Sequence, residues 1–409
     1  MERSAMENPL VIDPSGSDVQ GEAAKLRSRG PVTLVELPGG VVAWAVTGQE
    51  QLKRLLADPR VSKNPNLHWT EYISGEIAED WPLRLWVSVQ NMFTAYGEDH
   101  RRLRNIISRA FTPRRTEALR PDVEQITADL VDGLAAAPGG RADLREAFAY
   151  PLPIEVICRL FGIPDATRPS LRRCVDGIFN TALTAQEAIA NQVEMYGILQ
   201  EFVEFRRREP ADDLAGVLIS SRDEAGSRLS EAELVDTLIL MISAGHETTV
   251  NLLDQAITAL LTHPEQRALV RSGEVPWSQV IEEALRWQAP VANLPLRYAV
   301  EDIDVDGVTI GKGEAILAAY AAAGRDHSLH GDDADSFDIT RANKEHISFG
   351  HGVHFCVGSH LARMEAEISL PALFERFPDM EFAVDPSELS PVESFISNGH
   401  RSLPVNLNS

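Results

Sequence analysis

Hydrophobic and polar positions change period three times along this chain. "PVTLVEL" and "VVAWAV" alternate with period two on either side of "PGG", which predicts a β-hairpin. From about Glu50 to Pro290 the apolar residues recur at helical spacing, broken by Pro and Gly but by no stretch biased enough to be a linker. Alternation returns in "DIDVDGVTIGKGEAILAAY", where Asp306 and Gly307 supply a tight turn. After Cys356, Leu361, Met364 and Ile368 again mark one helical face. The pattern predicts a mainly α protein with a smaller β portion (α+β). A single domain over 1–409 is expected, its β part drawn from about 30–60 and 292–320. There is no repeat at solenoid periods.

One helix stands out. Ser230 and Glu233 form a capping-box pattern, apolar residues recur from Leu234 to Leu261, and His263 with Pro264 stop the run. About thirty residues at 1.5 Å each give roughly 45 Å, enough to cross a whole domain. In the middle lies "AGHETT". Gly245 costs about 1 kcal/mol relative to Ala in a helix interior. A flat ligand packed on Ala244 and Gly245 would explain it, with the acid of Glu247 and the hydroxyl of Thr248 close by. On the helix alone the plainer alternative is the stronger one: Gly245 admits a crossing helix and Glu247 faces solvent.

Composition narrows the class. At 409 residues and 45.0 kDa, with 44 % hydrophobic and 24 % charged residues, the chain is an ordinary globular one. Its net charge of −23 speaks against nucleic acid as a partner, because phosphate binding needs clustered cations. The N-terminus has no apolar leader and no stretch could span a bilayer, so no membrane anchor is expected; a cytoplasmic location fits the few cysteines, and a monomer is expected. Three cysteines make no disulfide framework.

Cys356 is the exception to that ordinariness. It lies in "FGHGVHFCVGSHLAR", among Gly350, Gly352 and Gly358, where a helix begins. Glycines let backbone approach something bulky, and a helix N-terminus favours an anionic sulfur. A thiolate ligand is indicated. Zinc is the alternative, disfavoured because Cys158 and Cys174 lie far upstream without paired spacing.

Together these stretches resemble the cytochrome P450 haem-thiolate monooxygenases over nearly the whole chain. The resemblance of "FGHGVHFCVG" implies that Cys356 ligates haem iron, with Phe349, Gly350 and Gly358 in the loop around it. That of "AGHETT" implies that Thr248 and Glu247 serve in dioxygen protonation, with Ala244 and Gly245 against the haem. Glu283 and Arg286 in "EEALR", with Arg341 in "FDITR", are implied as a structural ion-pair cluster. His100 and Arg104 in "HRRLR", with Arg297 and His354, are implied to hold the haem propionates, whereas His351 and His360 have no fixed role in the family pattern. "NMFTAYGEDHRRLR" and "ISNGHRSLPV" are similar to actinobacterial members acting on steroids, polyketides and other bulky apolar molecules. By that likeness the substrate lies between Phe93, Leu240, Ala244, Val291, Leu294, Phe395 and Ile396.

The resemblance implies haem b, O2 as co-substrate, and electrons from NAD(P)H through ferredoxin reductase and ferredoxin. Alternatives within the family are a peroxygenase, coupling or cyclisation outcome, and outside it a haem sensor without turnover. "HRRLRNIISRAFTPRR" carries Arg101, Arg102, Arg104, Arg109, Arg114 and Arg115 without an acid, and is expected to be the ferredoxin-docking face.

Overall fold

The computed structural model describes residues 8–221, 226 and 228–407. Strands β1 (Leu10–Val11), β2 (Val32–Leu37), β3 (Val41–Val46), β4 (Val61–Ser62), β5 (Leu294–Ala299) and β6 (Ala315–Ala318) form one sheet in the order β1-β2-β3-β6-β5-β4. The hairpin read from "PGG" is present: β2 and β3 are antiparallel with Leu37 opposite Val41, and Gly39 and Gly40 turn at φ 87° and 79°. Asp306 and Gly307 likewise take positive φ between the paired strands Ile303–Val305 and Val308–Ile310. A second sheet was not legible in the pattern. It joins Arg141–Asp143, Glu381–Phe382 and Pro404–Asn406, each too short to show alternation.

The helices that position the site are α1 (Gly97–Ala110), α2 (Pro151–Phe161), α3 (Ala185–Arg208), α4 (Glu231–Thr262), α5 (Trp277–Trp287) and α6 (Ser359–Arg376). Helix α4 is the long helix of the sequence. The Ser230 and Glu233 capping box closes its N-terminus, and it is packed by α2, α3, α5 and α6. Buried residues occur all around it, which is why its apolar stripe is so broad. Its buried polar side chains then need partners. Asp236, for example, accepts from the backbone N–H of Gln90 at 2.5 Å and from the Tyr196 hydroxyl, so one carboxylate ties a loop and α3 to α4.

Candidate active site

The cysteine loop is shaped by two glycines with positive φ, Gly350 at 73° and Gly352 at 68°. A Cβ on Gly352 would stand 2.5 Å from the Leu56 carbonyl oxygen, so this turn seats closely on the helix Gln49–Ala57. Gly358 has ordinary φ and caps α6. Cys356 therefore stands just before the helix rather than in its first turn. Its thiol keeps accessible surface although it lies deep in the protein. Burial pushes its pKa up, opposed by the N–H groups of Gly358 and Ser359 and by Arg104 and Arg363. The sulfur has donors and cations arranged for an anion, and burial works against that charge. Cys158 and Cys174 are different: burial raises them to about 12 and about 11, as for small core residues. Among the described residues no three His, Cys, Asp or Glu side chains are grouped to hold a metal ion.

Beside the loop, helix α1 brings its His100 ring to 4.1 Å from that of His354, and its Arg104 donates to the Phe355 carbonyl at 2.6 Å. Arg297 on β5 joins them, buried, with Nη1 unpartnered; His100 Nε2 is also unpartnered. Lys63, which the sequence gave no reason to single out, completes the group. Its ammonium is buried, 3.5 Å from the Phe93 ring centroid, and donates to the Pro295 carbonyl at 3.4 Å. Burial, then Arg297, holds its pKa well below the usual amine value. Burial and then Arg104 bring His100 to about 4. His354 is lowered by burial and then by His100, Lys63, Arg297 and Arg104. No acidic side chain pairs with any of these five among the described residues. Buried without an acidic partner, the imidazoles and Lys63 are pushed towards their neutral forms, and a carboxylate entering the cluster would meet donors and favour their charge.

Helix α4 forms the opposite wall. Ala244 is exposed to the cleft, and Thr248 Oγ1 donates to the Ala244 carbonyl at 2.7 Å. The flat-ligand explanation of Gly245 is corrected: a Cβ there would lie 2.6 Å from Ile157 Cδ1, so Gly245 admits the crossing helix α2. The companion expectation that Glu247 faces solvent is also corrected, since Glu247 is buried. Nor does its carboxylate sit with the Thr248 hydroxyl. It accepts from Arg145 at 3.3 Å and Asn251 at 3.0 Å, in a buried network that continues through Asp254 to His400. Burial raises the Glu247 pKa, partly offset by Arg145.

Between α4 and the loop before α1 lies an apolar cavity of 120 Å³. Phe93, Leu240, Val291 and Leu294 line it, as do Ala244 and Thr248. Phe395 and Ile396 do not: both are fully buried, their carbonyls accepting from Asn293 at 2.9 Å and from the Ala292 N–H at 2.7 Å. Leu85, Trp86, Val89, Ile178, Phe179 and Ser243 also line the cavity and escaped the sequence reading. The tryptophans in "WPLRLW" were the available signal.

The sequence model of the family described as Cytochrome P450 matches residues 38–272 and 277–394. The chain belongs to the cytochrome P450 family. It is a P450 monooxygenase, similar to 2-hydroxy-5-methyl-1-naphthoate 7-hydroxylase of Streptomyces carzinostaticus, at 46 % identity over 98 % of this chain and 97 % of the relative. It is also similar to the monooxygenase PikC of Streptomyces venezuelae, at 39 % identity over 93 % and 89 %. A solved structure from Streptomyces coelicolor A3(2) superposes with a TM-score of 0.93 at 52 % identity, covering 98 % of this P450 and 100 % of the other. Among the described residues no helix is long and apolar enough to cross a membrane.

In this P450, Glu283 and Arg286 of α5 form a fully buried bidentate pair at 2.6 and 2.8 Å. Arg286 also donates to the carbonyls of Gly324, Ala334 and Ser336, and Arg341 stands 3.5 Å from Glu283. A surface ion pair is thereby excluded. The residue before the pair, Glu282, reaches Arg363 and His346 instead, at the base of the cysteine loop. His360 is exposed beside Glu117.

Proposed function

We propose that this P450 hydroxylates a compact, largely apolar molecule of fused-ring or polyketide origin, with electrons passed from NAD(P)H through ferredoxin reductase and ferredoxin. Haem b is the group its residues fit. Five buried or half-buried side chains that can donate hydrogen bonds or carry positive charge, two arginines, a lysine and two histidines, stand without an acidic partner and match two propionates, and the thiol of Cys356 opens beside them; this is the observation that carries the reading.

Cys356 Sγ would be the residue that ligates the haem iron, and His100, Arg104, Arg297, His354 and Lys63 would hold the propionates. When bound, the haem supplies the iron at which dioxygen is reduced, one oxygen atom going to substrate and the other to water, with thiolate ligation favouring O–O cleavage. The chain's own residues control protons and position. Thr248, whose hydroxyl proton is committed to the Ala244 carbonyl, keeps lone pairs free to accept a hydrogen bond in the cleft. Glu247 holds a proton more readily than a surface carboxylate because it is buried, and delivers it only by leaving Arg145. The apolar walls exclude bulk water.

The substrate class follows from size. Pockets for drug-sized ligands are about 300–1,000 Å³. At 120 Å³ this cavity takes a small ring system sooner than a macrolide or steroid. The relative named for a naphthoate fits that scale.

The test is the reduced carbon monoxide complex. Wild type is expected to show the red-shifted Soret band of thiolate ligation, and Cys356→Ser to lose it. A mutant that keeps the band, or a wild type purified without haem, would overturn the assignment.

A further inference from the structure

Three polar side chains line the cavity, and two are already engaged. Asn91 accepts from the Phe93 N–H at 2.9 Å and donates to the Asp236 carbonyl at 2.7 Å. Thr248 donates to Ala244. Ser243 is the third, and it differs. Its side chain is buried, the residue being 5 % exposed, and Oγ has no hydrogen-bond partner.

A serine inside a helix ordinarily returns its hydroxyl to the carbonyl four residues back, as Ser220 does to Gly216 at 2.9 Å. Ser243 does not. An unpaired buried hydroxyl is destabilising, and alanine would serve better in both helix and apolar wall. Other unpartnered hydroxyls of α4, those of Thr237 and Thr258, are not part of the cavity lining. Ser243 alone among them belongs to the cavity lining, and because its oxygen has almost no accessible surface as it stands, a ligand would meet it when the side chain turns to another rotamer. The remaining walls near it are Ile178, Phe179, Ile239 and Trp86, which offer no hydrogen bond to the interior: the Trp86 indole N–H is given to the Ile178 carbonyl at 3.3 Å.

We propose that Ser243 is the specificity-determining anchor of the pocket, hydrogen-bonding one hydroxyl or carbonyl oxygen on an otherwise apolar substrate. This rests on the cavity being the substrate pocket. Thr248 lies five positions beyond Ser243, about 7.5 Å along the helix axis. A molecule held by its oxygen at Ser243 thus presents its far ring at the level of Thr248, and oxidation falls remote from the existing polar group. The aromatic edges of Trp86, Phe93 and Phe179 suit flat rings.

The experiment compares isosteres on the ferric holoprotein by equilibrium dialysis: 2-naphthol against 2-methylnaphthalene, and 4-ethylphenol against 4-ethyltoluene as a monocyclic pair. In wild type the phenolic member binds more tightly than its methyl partner. Ser243→Ala weakens the phenolic member roughly fivefold to tenfold and leaves the hydrocarbon unchanged or tighter. Ser243→Thr, which keeps a hydroxyl, preserves the preference. Equal binding of both members in wild type, or a preference that survives in Ser243→Ala, overturns the anchor. A preference seen only in the monocyclic pair overturns the fused-ring reading and leaves the anchor standing; binding of neither pair overturns both. Thermal melting supplies a readout without ligand. Ser243→Ala is expected to melt no lower than wild type, and a loss of about 2 °C or more overturns the proposal by revealing a structural partner for the hydroxyl.

Discussion

Thr248 and Glu247 are adjacent in sequence, and a single helical step of about 100° sends them to different places. Thr248 faces the cleft while Glu247 enters the network of Arg145 and Asn251. Their division of labour can be tested. Thr248→Ala is expected to bind substrate normally and to divert most consumed reductant into hydrogen peroxide, with Thr248→Ser restoring coupling; product formed per NAD(P)H oxidised is the measurement. An alanine variant with full coupling would take Thr248 out of proton handling. Single residues were unevenly legible. Gly245, Gly350, Gly352 and Gly358 look alike on paper, yet two serve the backbone, one admits Ile157, and one caps α6 with ordinary geometry. Lys63 and Ser243 could not be found at all, because the lack of an acidic partner for the one and of any hydrogen-bond partner for the other is a property of three-dimensional surroundings.

At the scale of elements, α5 is a clamp with two jaws. Glu283 and Arg286 grip the segment 324–341, and Glu282 grips the cysteine loop and α6 through His346 and Arg363. Burial opposes ionisation of Glu282, but hydrogen bonds from His346 and Arg363 outweigh it and bring its pKa to about 2. A carboxylate depressed in the folded state stabilises above its unfolded pKa, and that stabilisation drains away as pH falls from about 4.5 towards 2. Glu282→Gln is therefore expected to lower stability at pH 7 by roughly 2 kcal/mol after allowance for its partial exposure, and to approach wild type near pH 2.5. Urea midpoints at the two pH values measure it; an equal difference at both would show that charge is not what Glu282 contributes. The long helix, both hairpins and the cysteine-loop helix were legible as elements because each is either strongly periodic or carries turn chemistry. The second sheet was not, since two- and three-residue strands have no period to read.

For the whole molecule, a net charge of −23 conflicts with an acidic electron donor unless charge is local. Structure refines which arginines of the basic stretch can act. Arg102 is committed to Asp99 and Glu233, and Arg104 to the Phe355 carbonyl. Arg101, Arg114 and Arg115 are exposed, and the short helix Pro113–Glu117 packs on α6 behind the cysteine loop. Val353 and Phe355 are exposed on that loop. We expect Arg101→Glu with Arg114→Glu to slow ferredoxin-driven reduction at least tenfold at low salt, without changing substrate affinity, and the wild-type rate to fall as salt rises because exposed charges are screened beyond about 8 Å. Stopped-flow reduction measures both. Unchanged rates in the double variant would place docking on another face. Fold class was legible at this scale because motifs in a fixed order span the chain. Cavity size was not, because a cavity is the space that many side chains leave, and no one of them encodes it.

The final strand, Pro404–Asn406, pairs with Arg141–Asp143, and the segment ahead of it holds α4 through His400 on Asp254 and Asn398 on Gln255. Those residues are synthesised after the groups at positions 63 to 354 that would receive the propionates. An emerging chain can build its helices in order of synthesis, but the walls around the haem site close only when the C-terminal segment returns to its middle. Haem loading is thus expected to follow the synthesis of residues 398–406, and a nascent chain that stops short of them to remain an open receptor.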